Sequence, residues 1–164
     1  MMTEPRIDLM KNEFGARLAK RLFAVHGLLQ QSGLSHSTQN LVMLRASQIN
    51  GCGNCIDMHA KEAAAEGETS TRLNLVAGWR HSTVFTEEEQ AALALTEEAT
   101  RLADASPGVT DETWAQAAKF YDEEQLVALV TLIAMINATN RMAVTLNQLG
   151  GSYEPGLAAA TINS

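Results

Sequence analysis

Between residues 8 and 31 the apolar side chains Leu9, Phe14, Leu18, Leu22, Val25 and Leu29 return at three- to five-residue steps, the spacing of one helix face. The stretch Ser32-Gly33-Leu34-Ser35-His36-Ser37 breaks the pattern, and Ser37 or Thr38 is placed to cap a second helix through Leu41, Val42, Leu44 and Ala46, ending near Asn50-Gly51. A third helix then carries Cys52, Cys55, Met58, His59 and Ala63 and stops at Gly67. Residues 69–79 predict a shorter amphipathic segment through Leu73, Val76 and Trp79. Thr86 followed by Glu87, Glu88 and Glu89 has the pattern of an N-cap with a capping box, so this acidic run needs no ligand to explain it. After the breaker Ala105-Ser106-Pro107-Gly108, Thr110-Asp111-Glu112 starts another helix, and a long final one is predicted from residue 122 to about 149. The tail beyond Gly150-Gly151 is expected to be mobile or docked on a neighbour. No alternating strand pattern and no internal repeat is present, so the expected fold is all-α with about six to seven helices.

Composition narrows the class. A chain of 164 residues with 46% hydrophobic and 19% charged content suits one domain over residues 1–164, with its core between 34 and 149. Nineteen acidic against twelve basic residues give a net charge of −7 without a basic tract, which argues against a nucleic-acid or anionic-membrane contact. The most apolar stretch, residues 126–136, is about half of the roughly 20 residues a bilayer span needs, so no membrane span is expected. No secretory signal is recognisable, and a cytoplasmic location is the expectation. The final helix, apolar apart from Asn137, Asn140 and Arg141, suits either a core or a subunit interface.

The cysteine pair, Cys52 and Cys55, is too local to staple a fold and points to chemistry instead. Cys52, Cys55, His59 and Glu62 stand at offsets 0, 3, 7 and 10, on one side of a helix. Amides in the first turn favour a thiolate, His59 can exchange a proton with Cys55, and Glu62 can polarise His59 if their rotamers converge. A thiolate oxidised to a sulfenic acid can be trapped by the second thiol. Two other readings stay open: a zinc site using Cys52, Cys55 and His59, and an inert buried pair.

The run Leu44-Arg45-Ala46-Ser47-Gln48-Ile49-Asn50-Gly51-Cys52-Gly53-Asn54-Cys55-Ile56-Asp57-Met58-His59 resembles the signature of the alkylhydroperoxidase D-like branch of the carboxymuconolactone decarboxylase superfamily. Further matches are Gly67-Glu68, Arg72-Leu73, Gly78-Trp79-Arg80, residues 85–92 and residues 136–141, so the resemblance covers residues 34–149. It implies an all-helical, homo-oligomeric protein (dimer, trimer or hexamer) and a cysteine-dependent peroxidase for organic hydroperoxides that needs no organic cofactor. It also implies that Cys55 attacks peroxide, Cys52 resolves the product as a Cys52–Cys55 disulfide, and His59 relays the proton. The implied reductant is a lipoyl-bearing or thioredoxin-like dithiol protein. Decarboxylation is disfavoured, because the decarboxylase branch lacks the thiol pair.

Two positions depart from the family pattern. Asn40 stands where a glutamate is expected twelve residues before Cys52, and an amide cannot accept a proton as a carboxylate does. His81 stands where an acid is expected after Trp79-Arg80. Both are supporting site candidates, and their replacement predicts weakened or redirected activity, or a non-catalytic helical interaction module. Trp79 and Trp114 are read as core or interface anchors, and Asn140-Arg141 as inter-helix polar contacts or lining of the thiol pocket. His26 and His36 receive no catalytic role.

Overall fold

The periodic segments become helices in the computed structural model, which describes residues 4–157. In chain order they are α1 (Glu13–Leu29), α2 (His36–Ile49), α3 (Gly53–Ala65), α4 (Ser70–Leu75), α5 (Glu87–Thr100), α6 (Asp111–Ala117) and α7 (Glu123–Thr145), with 3-10 turns at Val76–His81 and Leu102–Asp104. Among the described residues there is no strand, and the all-α expectation holds.

Local capping chemistry sets the boundaries. Thr86 and Glu89 form the reciprocal capping box of α5, and Thr110 and Asp122 cap α6 and α7. The cap of α2 is Ser35 rather than Ser37 or Thr38: extended backbone there lets its hydroxyl accept the Thr38 amide at 3.0 Å. Helix α1 starts later than residue 8 because the Asp8 carboxylate accepts the amides of Met10 and Lys11, leaving Asn12 as the cap. The segment predicted over 69–79 splits after Leu75, with a kink at Gly78. Helix α7 ends at Thr145, just before the left-handed Asn147.

Helix α2 lies against α3, α5 and α7 and is buried nearly all round, which is why its sequence shows little amphipathic contrast. Leu41 and Leu44 pack with Val76, Trp79, Phe85 and Leu93, while Val42, Met43 and Ala46 pack with Leu95, Leu129, Leu132 and Ile133. Each fully buried leucine stabilises the bundle by about 1.5–3 kcal/mol. Trp79 is a core anchor as expected. Trp114 is not in the core: it is 44% exposed, because Ala117 is the buried residue of the two-turn α6, and of its two readings only that of an interface anchor is left. Helix α7, at 23 residues, has the length and apolar composition to cross a membrane, yet here it is a bundle helix lying against α1, α2, α3 and α5. Its apolar character continues past residue 136 because Asn137 and Asn140 find polar partners inside the bundle.

Candidate functional site

The link between α2 and α3 is a three-residue elbow that performs two tasks at once. Gly51 takes a left-handed backbone (φ 66°) after the C-cap Asn50. The Gly51 amide donates to the Gln48 carbonyl at 3.3 Å and the Cys52 amide to the Ser47 carbonyl at 3.0 Å, the paired bonds of a Schellman motif. Cys52 then serves as N-cap of α3, its Sγ accepting the Cys55 amide at 3.3 Å. An asparagine network clamps the elbow to α7. Asn50 Nδ2 donates to Asn137 Oδ1 at 3.0 Å and Asn140 Oδ1 at 2.9 Å, Asn140 Nδ2 to Ser47 Oγ at 3.0 Å, and Arg141 Nη1 to the Asn137 carbonyl at 3.0 Å. These bonds make Asn140 an inter-helix contact, while those of Arg141 run to Asn137 of its own helix.

Cys52 and Cys55 form a disulfide with a Cα–Cα distance of 5.3 Å, packed against Ala143 of α7. Cys55 is the more open of the two, at 5% exposure against 1% for Cys52. Both lie at the N-terminal end of α3, where unpaired amides and the helix dipole favour a thiolate once the bond opens.

One turn beyond Cys55, His59 is half-buried and makes no hydrogen bond to a described residue. Burial, reinforced by the neighbouring positive charge of His26, pushes its pKa down to about 3, so the imidazole is neutral at physiological pH. Glu62 is engaged elsewhere: its Oε1 accepts the Tyr153 hydroxyl and, at 2.8 Å, the Gly156 amide. Asn40, on α2, meets the C-terminal end of α3, where its Nδ2 donates to Glu66 Oε2 at 2.7 Å. A carboxylate therefore stands beside the asparagine, supplied from the C-cap of α3. His26 of α1 lies within electrostatic reach of His59, Glu66 and His36; burial lowers its pKa, Glu66 opposes that and His36 adds to it. Asn40 and Glu66 open onto a cavity of about 570 Å³, also lined by His36, Ala63, Glu68 and Arg72.

His81 lies apart. It is exposed on the rim of a separate depression of about 240 Å³ lined by Arg45, Trp79, Arg80 and Glu97. Burial pushes the Glu97 carboxyl up, but hydrogen bonds from Arg45, Trp79 and Arg80 outweigh it and hold the group below the usual range. The structure thus keeps Cys52, Cys55 and His59 on one face of α3, commits Glu62 of that face to Tyr153 and Gly156, sets Asn40 of α2 against the C-terminal end of α3, and leaves His81 apart. Among the described residues no three His, Cys, Asp or Glu side chains converge to hold a metal ion. Of the site's neighbours, the sequence reading denied His26 a catalytic role and assigned none to Glu66 or Tyr153. Glu66 had a signal, since it continues the spacing 52, 55, 59, 62 by four residues.

An all-helical bundle with Cys-x-x-Cys-x-x-x-His opening a helix under a second, apolar helix defines the alkylhydroperoxidase D-like class. Residues 13–98 match the carboxymuconolactone decarboxylase family, and the chain belongs to that family. It is 38% identical over 123 residues to the uncharacterized protein YdfG of Bacillus subtilis, a match spanning 75% of this chain and 82% of that protein. A crystal structure from Agrobacterium tumefaciens, of a protein of unknown function suggested to be the antioxidant defence protein AhpD, superposes with a TM-score of 0.83 at 34% identity, over 92% of this chain and 100% of that one. The debrominase Bmp8 shares the fold at 18% identity, with a TM-score of 0.65 over 85% of this chain and 72% of that one.

Proposed function

We propose that the protein is a cysteine-dependent peroxidase that reduces organic hydroperoxides, with Cys55 as the attacking thiol, Cys52 as the resolving thiol and His59 as the proton acceptor. The observation that carries this reading is the Cys52–Cys55 pair, already within bonding distance at the N-terminus of α3 with His59 one turn on. A shared fold does not choose the substrate, since the same bundle serves a debrominase. The support comes from the chemistry of the paired thiols.

Cys55 gives up its proton with His59, one turn on, as the relay, and the thiolate, favoured by the amides at the start of α3, attacks the distal peroxide oxygen. The O–O bond breaks, the alkoxide leaves with a proton as the alcohol, and Cys55 becomes a sulfenic acid. The Cys52 thiolate then attacks the Cys55 sulfur, hydroxide departs and is protonated to water, and the disulfide closes. The Cys55 amide, 3.3 Å from Cys52 Sγ, stabilises Cys52 as a thiolate in this step and again as the leaving group when the disulfide is reduced. An external dithiol of lipoyl or thioredoxin type supplies the two electrons. His26 and Glu66 lead the proton from His59 toward the cavity, Glu66 taking the part that Asn40 cannot.

The test is the intact mass and free-thiol content of fully reduced protein during stoichiometric addition of cumene hydroperoxide. The expected result is loss of both thiols and about 2 Da, reversed by dihydrolipoamide. Thiols unchanged over minutes would overturn the proposal.

A further inference from the structure

The chain returns after α7 to lie across the outer side of α3. The Gly151 and Tyr153 amides donate to Asp57 Oδ2 at 2.6 and 3.0 Å, Lys61 Nζ donates to the Tyr153 carbonyl at 2.8 Å, and the Tyr153 hydroxyl and Gly156 amide donate to Glu62. Asp57 and Lys61 are themselves paired at 2.8 Å. At the head of this strap Gly150 abuts the backbone between the two cysteines: a Cβ there would stand 2.7 Å from the Gly53 carbonyl carbon and 3.2 Å from the Asn54 nitrogen. A side chain at position 150 cannot be accommodated without moving either the strap or the turn, because the obstacle is backbone.

Gly53 makes this contact matter. Between two cysteines that must meet, it is the residue with the widest backbone freedom, and it loses the most entropy when fixed. Its own side chain offers nothing to hold it. The strap does so from outside, as a flat, side-chain-free surface pressed on the Gly53 carbonyl and anchored on three side chains of the same helix.

We propose that residues 150–156 form a positioning strap for disulfide closure. Gly150 seats the Cys52–Cys55 turn, and Asp57, Lys61 and the Tyr153–Glu62 bond latch the strap onto α3. The strap holds the turn in the conformation of the closed disulfide and raises the effective concentration of one sulfur at the other. By reciprocity, opening the disulfide loosens the strap. The inference concerns the same thiols as the peroxidase reading and rests on that reading for its role in a catalytic cycle, but the coupling itself requires no peroxide.

The experiment is equilibration with glutathione. Two protein thiols and one glutathione disulfide exchange for the protein disulfide and two glutathione thiols, and the position is read by intact mass after acid quench. Gly150→Ala is expected to lower the equilibrium constant about tenfold, and Asp57→Ala and Tyr153→Phe about threefold each, in proteins whose circular dichroism matches the parent. Hydrogen exchange at the Gly151 and Tyr153 amides is expected to quicken on reduction of the parent protein. Constants within twofold of the parent for the folded variants, or amide exchange indifferent to redox state, would overturn the proposal. Should Gly150→Ala fail to fold, the Asp57 and Tyr153 variants carry the test. A protein inert to cumene hydroperoxide that still shows these shifts would lose the peroxidase reading and keep the strap.

Discussion

The two sides of α3 are built on opposite principles. On the outer side, Asp57 and Lys61 are both taken up by hydrogen bonds with the returning chain, and little is left to react. On the inner side, Cys55 packs with Cys52 and Ala143, and no hydrogen bond holds the His59 imidazole. One helix therefore places its rigidity and its reactivity back to back: the satisfied side fixes the backbone, so the unsatisfied side can present thiol and base without spending their lone pairs on structure. A half-buried histidine without a partner raises the cost of folding. That cost is acceptable where the group has a proton to accept.

The contrast breaks most visibly at His59. Replacing it with asparagine is expected to slow oxidation of the reduced protein by hydroperoxide about 100-fold in stopped-flow measurements, the loss typical of a missing proton acceptor. A change of less than threefold would make the imidazole a packing residue.

The same side chain gives a pH signature. His59 titrates near 3 when folded and near 6.5 when unfolded, so between those values the unfolded chain binds more protons. Stability rises with pH across that window and is lost on acidification from about 6.5 toward 3. His26, lowered mainly by burial, acts in the same direction. Carboxylates held below their usual range, such as Glu97 and Glu68, add a loss of the same sign only at lower pH, below their ordinary value of 4.5. Urea titrations of oxidised His59→Asn at pH 7.0, 5.5 and 4.5 should therefore show a shallower decline than the parent across both intervals. A parallel decline would contradict the assignment.

A smaller effect is expected at the end of the inner face. Glu66→Gln keeps a partner for Asn40 but removes the charge, and the oxidation rate should fall about threefold with an altered pH profile rather than a uniform scaling. An unchanged profile would exclude Glu66 from the proton path. His81→Ala should be the mildest change, within twofold of the parent, because its depression lies apart from the thiol face. A larger loss would mean that the separation between the two cavities misleads.

What the sequence made legible follows the range of the forces involved. The capping box at Thr86 and Glu89, the stop at Gly51 and the common face of Cys52, Cys55 and His59 depend on residues within one or two turns, and helical spacing alone displays them. The contacts that change the site do not. Tyr153 meets Glu62 across 91 positions, and Asn50 meets Asn140 across 90. Asn40 looked like the loss of a carboxylate, because a substitution is visible in a sequence while its neighbour 26 positions later is not. Trp114 lies outside the core for a related reason: its spacing is that of a buried face, but α6 is too short to bury both it and Ala117.

The central claim is that the inner face of α3 performs thiol chemistry beginning at Cys55. The most direct measurement is dimedone trapping with tryptic mass mapping after one equivalent of cumene hydroperoxide, run on reduced Cys52→Ser and Cys55→Ser side by side. The account predicts a trapped sulfenic acid on Cys55 in the first variant and no adduct in the second. An adduct on Cys52 would reverse the two roles, and no adduct in either variant would contradict the account.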